Sequence, residues 1–359
     1  MMNMVRFVLV ITVIAALGSC KTNVGARGSL LVGADDMHKI IYYATLAGSS
    51  HNTQPWKVEV LGDREIRVLA DTTRALNVID PKRRELYISL GAFIENLDLA
   101  AGALGYATEM QVLPRSELAA YVAVVVLKRV RPSGFDLHSL VTRRTLRVPF
   151  HTADIRKEEV ASILGDDWQT SFFAASTEEG RFIAKQTLSA YRQQSMNREA
   201  QAEFASWVRF SDRDVRLRQD GITTAGMQIN GIKGFVVRNF FKPADAEKKQ
   251  FVQAGIETTE KQVSNCGGWL VLTSPDSSAA SWIDIGRRYE RMNIICTSLC
   301  IGFQPMNQIV EEQNFLGNVQ HEIGKGGKIQ FVARIGYVIE IPSPVSPRRP
   351  VDSVAVFYK

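Results

Sequence analysis

Two groups of arginines are the residues most able to do chemistry: Arg143, Arg144 and Arg147 within Arg143-Arg144-Thr145-Leu146-Arg147, and the pair Arg348-Arg349 further along the sequence. A guanidinium is a rigid fork of donors that meets phosphate or carboxylate oxygens two at a time and keeps its charge at any ordinary pH. Acting together, the two groups could hold a phosphate; a lone Arg-Arg-x-x-Arg on a helix is more simply a solvated basic face. A third stretch, Ser49-Ser50-His51-Asn52-Thr53-Gln54-Pro55-Trp56, gathers hydroxyls, amides and an imidazole into one short segment. His51 could donate a proton there, or serve as a capping or packing residue. Other chemistries are not laid out. The five histidines, His38, His51, His138, His151 and His321, lack HxxxH or Cys/His ligand spacing, which argues against a metal site. No Ser-His-Asp or Cys-His arrangement is suggested, and Gly324-Lys325-Gly326-Gly327 lacks the Walker spacing.

These segments need elements to hold them. Residues 37–46 suit a helix, ended by the small and polar residues before Pro55, because the position before a proline is pushed towards extended geometry. Val58, Val60, Ile66 and Val68 alternate with polar residues around Gly62-Asp63, the pattern of a hairpin. Leu90, Phe93, Ile94, Leu97, Ala101 and Leu104 line one face of a helix over 90–105, and 121–127 reads as an interior strand. The second half repeats this order: a strand over 269–273, a helical face of Tyr289, Met292, Cys296, Leu299 and Phe303, a strand over 330–341 and a short one over 351–357. Gly286 and Gly302 would bracket the second helix as Gly91 and Gly105 bracket the first, with spacings that differ by two residues. Between the halves, 181–251 is polar and rich in turn signals, which predicts an inserted lid.

The chain has 359 residues, 45% hydrophobic and 22% charged, which excludes disorder, collagen-like repeats and a polytopic membrane protein. That length suggests about two domains or one large one. The net charge of +6, from 43 Lys+Arg against 37 Asp+Glu, is spread along the chain with no basic run interleaved with aromatics, so nucleic acid is not the expected partner. Residues 7–17 are an apolar run followed by Gly18-Ser19-Cys20. Since a spanning helix needs roughly 20 apolar residues, the run reads as a signal peptide over 1–19, and Leu17-Gly18-Ser19-Cys20 resembles a bacterial lipobox with Cys20 as the lipidated residue. A polar stretch over 20–36 would then tether the protein to the outward face of a bacterial membrane, in the cell envelope. A plain signal peptide with Cys20 incidental is the alternative. Cys266, Cys296 and Cys300 remain, an odd number; Cys296 and Cys300 are placed one helical turn apart, as core residues rather than a disulfide or metal pair.

Ser49-Ser50-His51-Asn52-Thr53-Gln54-Pro55-Trp56 resembles the SxxNxQPW segment of the FMN-dependent nitroreductase family. Arg143-Arg144-Thr145-Leu146-Arg147 resembles the family's RRSxR segment, with Thr for Ser, and Arg348-Arg349-Pro350 with the strand after it is similar to the basic segment that closes the family's chain. The two glycine-bracketed helices resemble two copies of the family's central dimer helix. In ordinary members RRSxR precedes SxxNxQPW; here it follows. The closest resemblance is therefore to the tandem, Acg-like branch, in which two nitroreductase-like halves in one chain imitate a homodimer.

The resemblance implies an α+β, nitroreductase-like fold arranged as a tandem pseudo-dimer, central sheets flanked by helices, with halves at 37–135 and 136–359. It implies one FMN per chain, since the loop of Ser49, Ser50, His51, Asn52 and Gln54 comes from the first half and Arg143, Arg144, Thr145, Arg147, Arg348 and Arg349 from the second. A flavin phosphate carries about two negative charges, which suits four guanidinium forks; if 143–147 open a helix, its dipole adds to the attraction. Thr145 would bond the ribityl chain or phosphate, Arg147 would lie near the N1/O2 edge of the ring, Gln54 and Trp56 would be packing supports, and Gly302 would approach the flavin N5. No side chain is assigned a catalytic role, because the flavin carries the reactivity. The implied activity is two-electron, ping-pong reduction of a nitro compound, quinone or similar acceptor, with a quinol, a partner protein or a nicotinamide as donor. The alternative is an envelope protein that holds FMN under the lid without turnover. A chain that is already a pseudo-dimer need not pair further.

Overall fold

The computed structural model describes Leu31, residues 33–113 and residues 120–358. The apolar run, Cys20 and most of the expected tether lie outside the described residues, among which no helix is long and apolar enough to cross a membrane.

Helix α1 (Asp36–Thr45) starts at Asp35, whose carboxylate accepts the His38 amide at 2.8 Å. The loop carrying Ser49 and His51 follows, then a hairpin of β1 (Trp56–Leu61) and β2 (Glu65–Ala70), with Gly62 taking the positive φ of the turn. Helix α2 (Arg84–Ala103) runs to Gly105, and β3 (Tyr106–Val112) and β4 (Ala123–Arg129) pair antiparallel beyond it. The helix begins six residues before the expected 90. Its first turn carries Arg84 and Glu85, charged residues that hide the start from an apolar pattern although Glu85 is buried.

The short α3 (His138–Thr142) leads into the arginine segment, and α4 (Lys157–Leu164) and β5 (Thr170–Ala174) follow. The expected lid over 181–251 is largely helical: α5 (Glu178–Met196), α6 (Arg198–Ser206), α7 (Asp212–Arg218) and α8 (Gly231–Phe240), with the two-residue strands β6 (Val208–Arg209) and β7 (Ile222–Thr223) paired parallel, and α9 (Lys249–Ser264) carries the chain beyond its expected end. The lid holds its own small core of Ala205, Val208, Phe210, Val237 and Ala246. Then come β8 (Gly268–Ser274), α10 (Ala279–Ser298), β9 (Ile301–Pro305), α11 (Gln308–Glu311), α12 (Gln313–Ile323), β10 (Lys328–Tyr337), α13 (Val351–Val354) and β11 (Ala355–Tyr358).

The strands form two principal sheets with matching order. One runs β1-β2-β4-β3 and the other β5-β8-β10-β9, each antiparallel throughout, and β11 adds parallel to β1 at the edge of the first, with Val58 opposite Ala355. The last strand of the sequence therefore completes the sheet made by the first half. Between the sheets α2 and α10, 20 residues each, pack against one another. They touch at Gly91 and Gly286, which occupy the same place in their helices: a Cβ on Gly91 would stand 2.0 Å from the Ile283 carbonyl oxygen, and one on Gly286 2.0 Å from that of Ile88. These glycines sit at the crossing and do not open the helices. The residues that end them equivalently are Gly105, at φ +85°, and Cys300, at φ +54°. The apparent mismatch of two residues disappears once Cys300 replaces Gly302 as the partner of Gly105. Cys300 is consequently an exposed residue past the helix end, while Cys296 is buried.

One continuous core runs through both halves, joining Ile40, Trp56, Phe93 and Ile94 to Ile283, Tyr289, Phe303 and Phe331. A second cluster, with Leu146, Phe150, Ile183, Trp269 and Val332, lies where α5 and the segment after the arginines cover the second sheet.

Candidate functional site

A cavity of about 1060 Å³ opens between the halves and the lid, the size of a small-molecule or cofactor site. The first half contributes Gly48, Ser49, Ser50 and His51; the second contributes Thr145, Arg147, Tyr289, Gln304 and Phe331; the lid contributes Tyr191, Phe204, Met227 and Phe251. The loop of the first half is shaped by unusual backbone: His51, Asn52 and Gln54 have φ of +48°, +54° and +53°. Ser49 Oγ accepts the Gln54 amide at 3.0 Å, and the Ser50 amide donates to Ser89 Oγ on α2 at 3.2 Å. Such strained turns persist where surrounding contacts over-determine them.

His51 packs edge-on against Phe204 of α6, with centroids 5.7 Å apart. Burial and the nearby charge of Arg147 hold its pKa down to about 4, so the ring is neutral at physiological pH. Its Nδ1 is buried without a hydrogen-bond partner. An orphaned ring nitrogen in a cavity wall is a docking point for a polar ligand group rather than a store of protons.

The arginines divide. Only Arg147 of the five reaches the cavity wall; it donates to the Gly226 carbonyl at 3.0 Å, which ties the lid to the site, and burial pushes its pKa down. Arg143 is 3% exposed and its Nε lies 2.9 Å from Oε1 of Glu290, itself fully buried. Arg143 and Arg348 both donate to the Leu46 carbonyl, at 2.9 and 3.0 Å, and Arg348 also reaches Ala47 O and Asn52 Oδ1 at 3.0 Å. Arg144 donates to the carbonyls of Pro342 and Ser343 at 2.8 and 2.5 Å. Burial, and then the charges of Arg147 and Arg143, lower its pKa to about 10. Arg349 turns away: its amide donates to Gln54 Oε1 at 2.8 Å and its side chain to the Ser353 carbonyl at 2.8 Å. The segment over 143–147 is not a helix start. It follows the end of α3 with Arg143 at ψ +132° and no helix over 143–147, so no helix dipole acts there.

Asn52 and Gln54 therefore serve as braces. Asn52 Nδ2 donates to Gly221 O and Pro347 O at 3.1 and 3.2 Å, and Gln54, fully buried, donates to Gln219 O at 2.9 Å. Both join the lid to the C-terminal basic segment. Gly302 on β9 is covered by the Phe150 ring, 2.5 Å from where its Cβ would stand, and does not line the cavity; Gln304 on the same strand does.

Residues outside the expected set complete the site. Glu290 accepts the Gly48 amide at 3.4 Å and faces Arg143 and Arg348; burial raises its pKa and Arg143 opposes this most. Arg334, wholly buried in β10, donates to Gln304 Oε1 at 2.9 Å and to the carbonyls of Gln262, Asn265 and Val148, stacked 3.9 Å over Phe150. It fixes Gln304 and Gln262, both in the cavity wall. A charged residue amid the apolar run of β10 was the available signal. Glu85 and Glu311 also line the cavity; Asn307 Nδ2 donates to Glu85 at 3.1 Å and Gln194 Nε2 to Glu311 at 2.7 Å. Burial and then the charge of Glu85 push Glu311 up to about 8. Among the described residues, no group of three His, Cys, Asp or Glu side chains is placed to hold a metal.

No family model matches the chain. The "Putative NAD(P)H nitroreductase acg" of Mycobacterium tuberculosis H37Rv is 23% identical over 351 residues, covering 90% of this chain and 96% of that one. The chain is thus similar along most of its length to proteins of the Acg type. A second such protein of the same organism, "Putative NAD(P)H nitroreductase Rv3131", is 21% identical over 331 residues, 89% of this chain and 91% of that one. Among solved structures, the chain is similar to the FMN-dependent nitroreductase NfnB from Mycobacterium smegmatis in complex with NADPH, with 13% identity and a TM-score of 0.41 over 62% of this chain and 97% of that one. It is also similar to a nitroreductase-assigned structure from Anabaena variabilis, with 11% identity and a TM-score of 0.43 over 76% and 69%. The similarity to the Acg-type proteins extends over about nine-tenths of this chain.

Proposed function

We propose that this Acg relative is an FMN-dependent oxidoreductase that holds one FMN in the cavity between its halves and passes two electrons from a nicotinamide donor to a nitro compound, quinone or similar acceptor. The observation that carries this reading is the composite wall: hydroxyls and a neutral imidazole from Ser49, Ser50 and His51 on one side, Thr145 and the Arg147 cation on the other, and aromatic rings of Phe204 and Phe331 between. That set suits a flat, anionic heteroaromatic ligand. Arg143, Arg144, Arg147 and Arg348 crowd one side of the site with Glu290 as the carboxylate among them, leaving an excess of positive charge that an anionic ligand would offset. When bound, FMN would supply the two-electron chemistry. The chain's own part is to fix a positive charge at Arg147, to offer Ser49, Ser50 and Thr145 as hydrogen-bond donors, and to exclude water with the lid.

The matching sheets and the crossing of α2 on α10 support the tandem pseudo-dimer reading, with a single composite site because the Ser49 loop has one copy. Cys20 remains the proposed lipid anchor, which would place the protein in the bacterial cell envelope. The lid contacts at Phe204 and Gly226 favour a second reading, a flavin-holding protein without turnover.

Arg147→Ala should weaken FMN binding about 10- to 100-fold, the worth of one charge-assisted hydrogen bond, and should also lower the stability of the ligand-free protein by about 1–3 kcal/mol because the Gly226 carbonyl loses its donor. Fluorescence titration of free flavin measures it. Oxidation of NADH or NADPH by the FMN-loaded chain, with a quinone or nitroaromatic acceptor, separates the two readings: turnover supports the oxidoreductase, and tight flavin with no turnover supports the holding protein.

A further inference from the structure

We propose that the exposed face of α8 is a docking surface for an anionic lipid bilayer, set at the edge of the cavity. Ile232 is 81% and Phe240 72% exposed, with Phe235 and Val236 at 37% and 40%, while Gly234 and Val237 are buried beneath. The spacing of 232, 236 and 240 makes one stripe along the helix. A contiguous apolar stripe held in water on an otherwise polar lid marks an interaction site. Its flanks are basic: Lys233 and Arg238 lie on the helix, and Lys242, Lys248 and Lys249 follow it, against Asp245 and Glu247, with Asp245 already paired to Lys248 at 2.6 Å. An apolar stripe edged by Lys and Arg is the composition of helices that lie in the plane of a membrane surface, where each basic residue near anionic headgroups adds to binding.

The occupant follows from that complementarity and from continuity with the cavity. Ile232, Lys233, Val236 and Phe240 line the cavity as well as facing solvent. A bilayer seated on α8 would therefore lie against the cavity's rim, and an acceptor dissolved in the lipid, such as a long-chain quinone, would enter without crossing water. The entry route rests on the proposed function; the docking surface does not, because it needs no flavin.

Hydrogen exchange of the full chain tests this, with vesicles of phosphatidylglycerol and phosphatidylcholine, with pure phosphatidylcholine vesicles and without lipid. Exchange at 231–240 should slow about tenfold on the anionic vesicles alone, local protection reporting directly on the helix. Raised salt should reverse the effect, and Ile232→Ser with Phe240→Ser should abolish it. Should that variant fold poorly, Lys233→Glu with Arg238→Glu leaves the apolar residues in place and should abolish it too. Chain that co-sediments with the vesicles while α8 exchanges at its lipid-free rate would overturn the proposal. So would protection without lipid that grows with protein concentration, which assigns the face to a second copy.

Discussion

Arg143→Met should lower the unfolding free energy by about 3–5 kcal/mol at neutral pH, the usual effect of removing one member of a buried ion pair. The pair is buried on both sides, with Arg143 3% and Glu290 0% exposed and 2.9 Å between Nε and Oε1. Burial already raises the pKa of Glu290, and Arg143 is the main influence lowering it. Without the arginine, the folded protein would hold a proton on Glu290 that the unfolded chain gives up above about pH 4.3. The folded state then binds more protons than the unfolded one, so stability falls as pH rises. The loss in Arg143→Met should accordingly be small near pH 5 and larger at pH 8. Arg143→Met with Glu290→Met removes both charges and should recover most of the loss. Urea unfolding at the two pH values measures all three proteins; a double variant no more stable than the single would show that the pair is not the source.

Gly286→Val should be comparably damaging for a steric reason. Its Cβ would lie 2.0 Å from the Ile88 carbonyl oxygen and 2.8 Å from the Gly91 Cα, both backbone atoms that no rotamer can move. Relief requires α10 to withdraw from α2 along the contact that joins the two halves, at a cost of about 3 kcal/mol or more, the upper part of the range for overpacking. Gly91→Val should match it. Gly317→Ala is the control: it sits within α12 facing open space, so it should be neutral or stabilising by up to about 1 kcal/mol. Denaturant midpoints compare the three. Equal midpoints for Gly286→Val and the natural chain would mean that the helices do not meet at these glycines.

The hairpin, the interior strands and the two long helices were legible because apolar spacing reports directly on which face is buried. Val58, Val60, Ile66 and Val68 all prove buried. What spacing cannot report is the partner of a polar residue. Arg143 and Arg348 read as ligands for a phosphate because their types suit one, yet their nearest partners are Glu290 and the Leu46 carbonyl, brought together by the packing of α10 against the Ser49 loop. Glu290 itself hid between Tyr289 and Met292 on a helix read for its apolar face. The lid looked irregular because α5, and α9 just past its expected end, carry mostly polar residues; tertiary contact between them stabilises what intrinsic pattern does not announce. Gly302 was taken for the partner of Gly105 because both are glycine, whereas the positive φ at that place belongs to Cys300.

A single cofactor site assembled from both halves is tested most directly by the number of FMN molecules bound per chain. Titrating purified, flavin-free protein and counting bound flavin by absorbance after gel filtration should give one per chain, greatly reduced in Arg147→Ala. Two per chain, or none at saturating FMN, would contradict it.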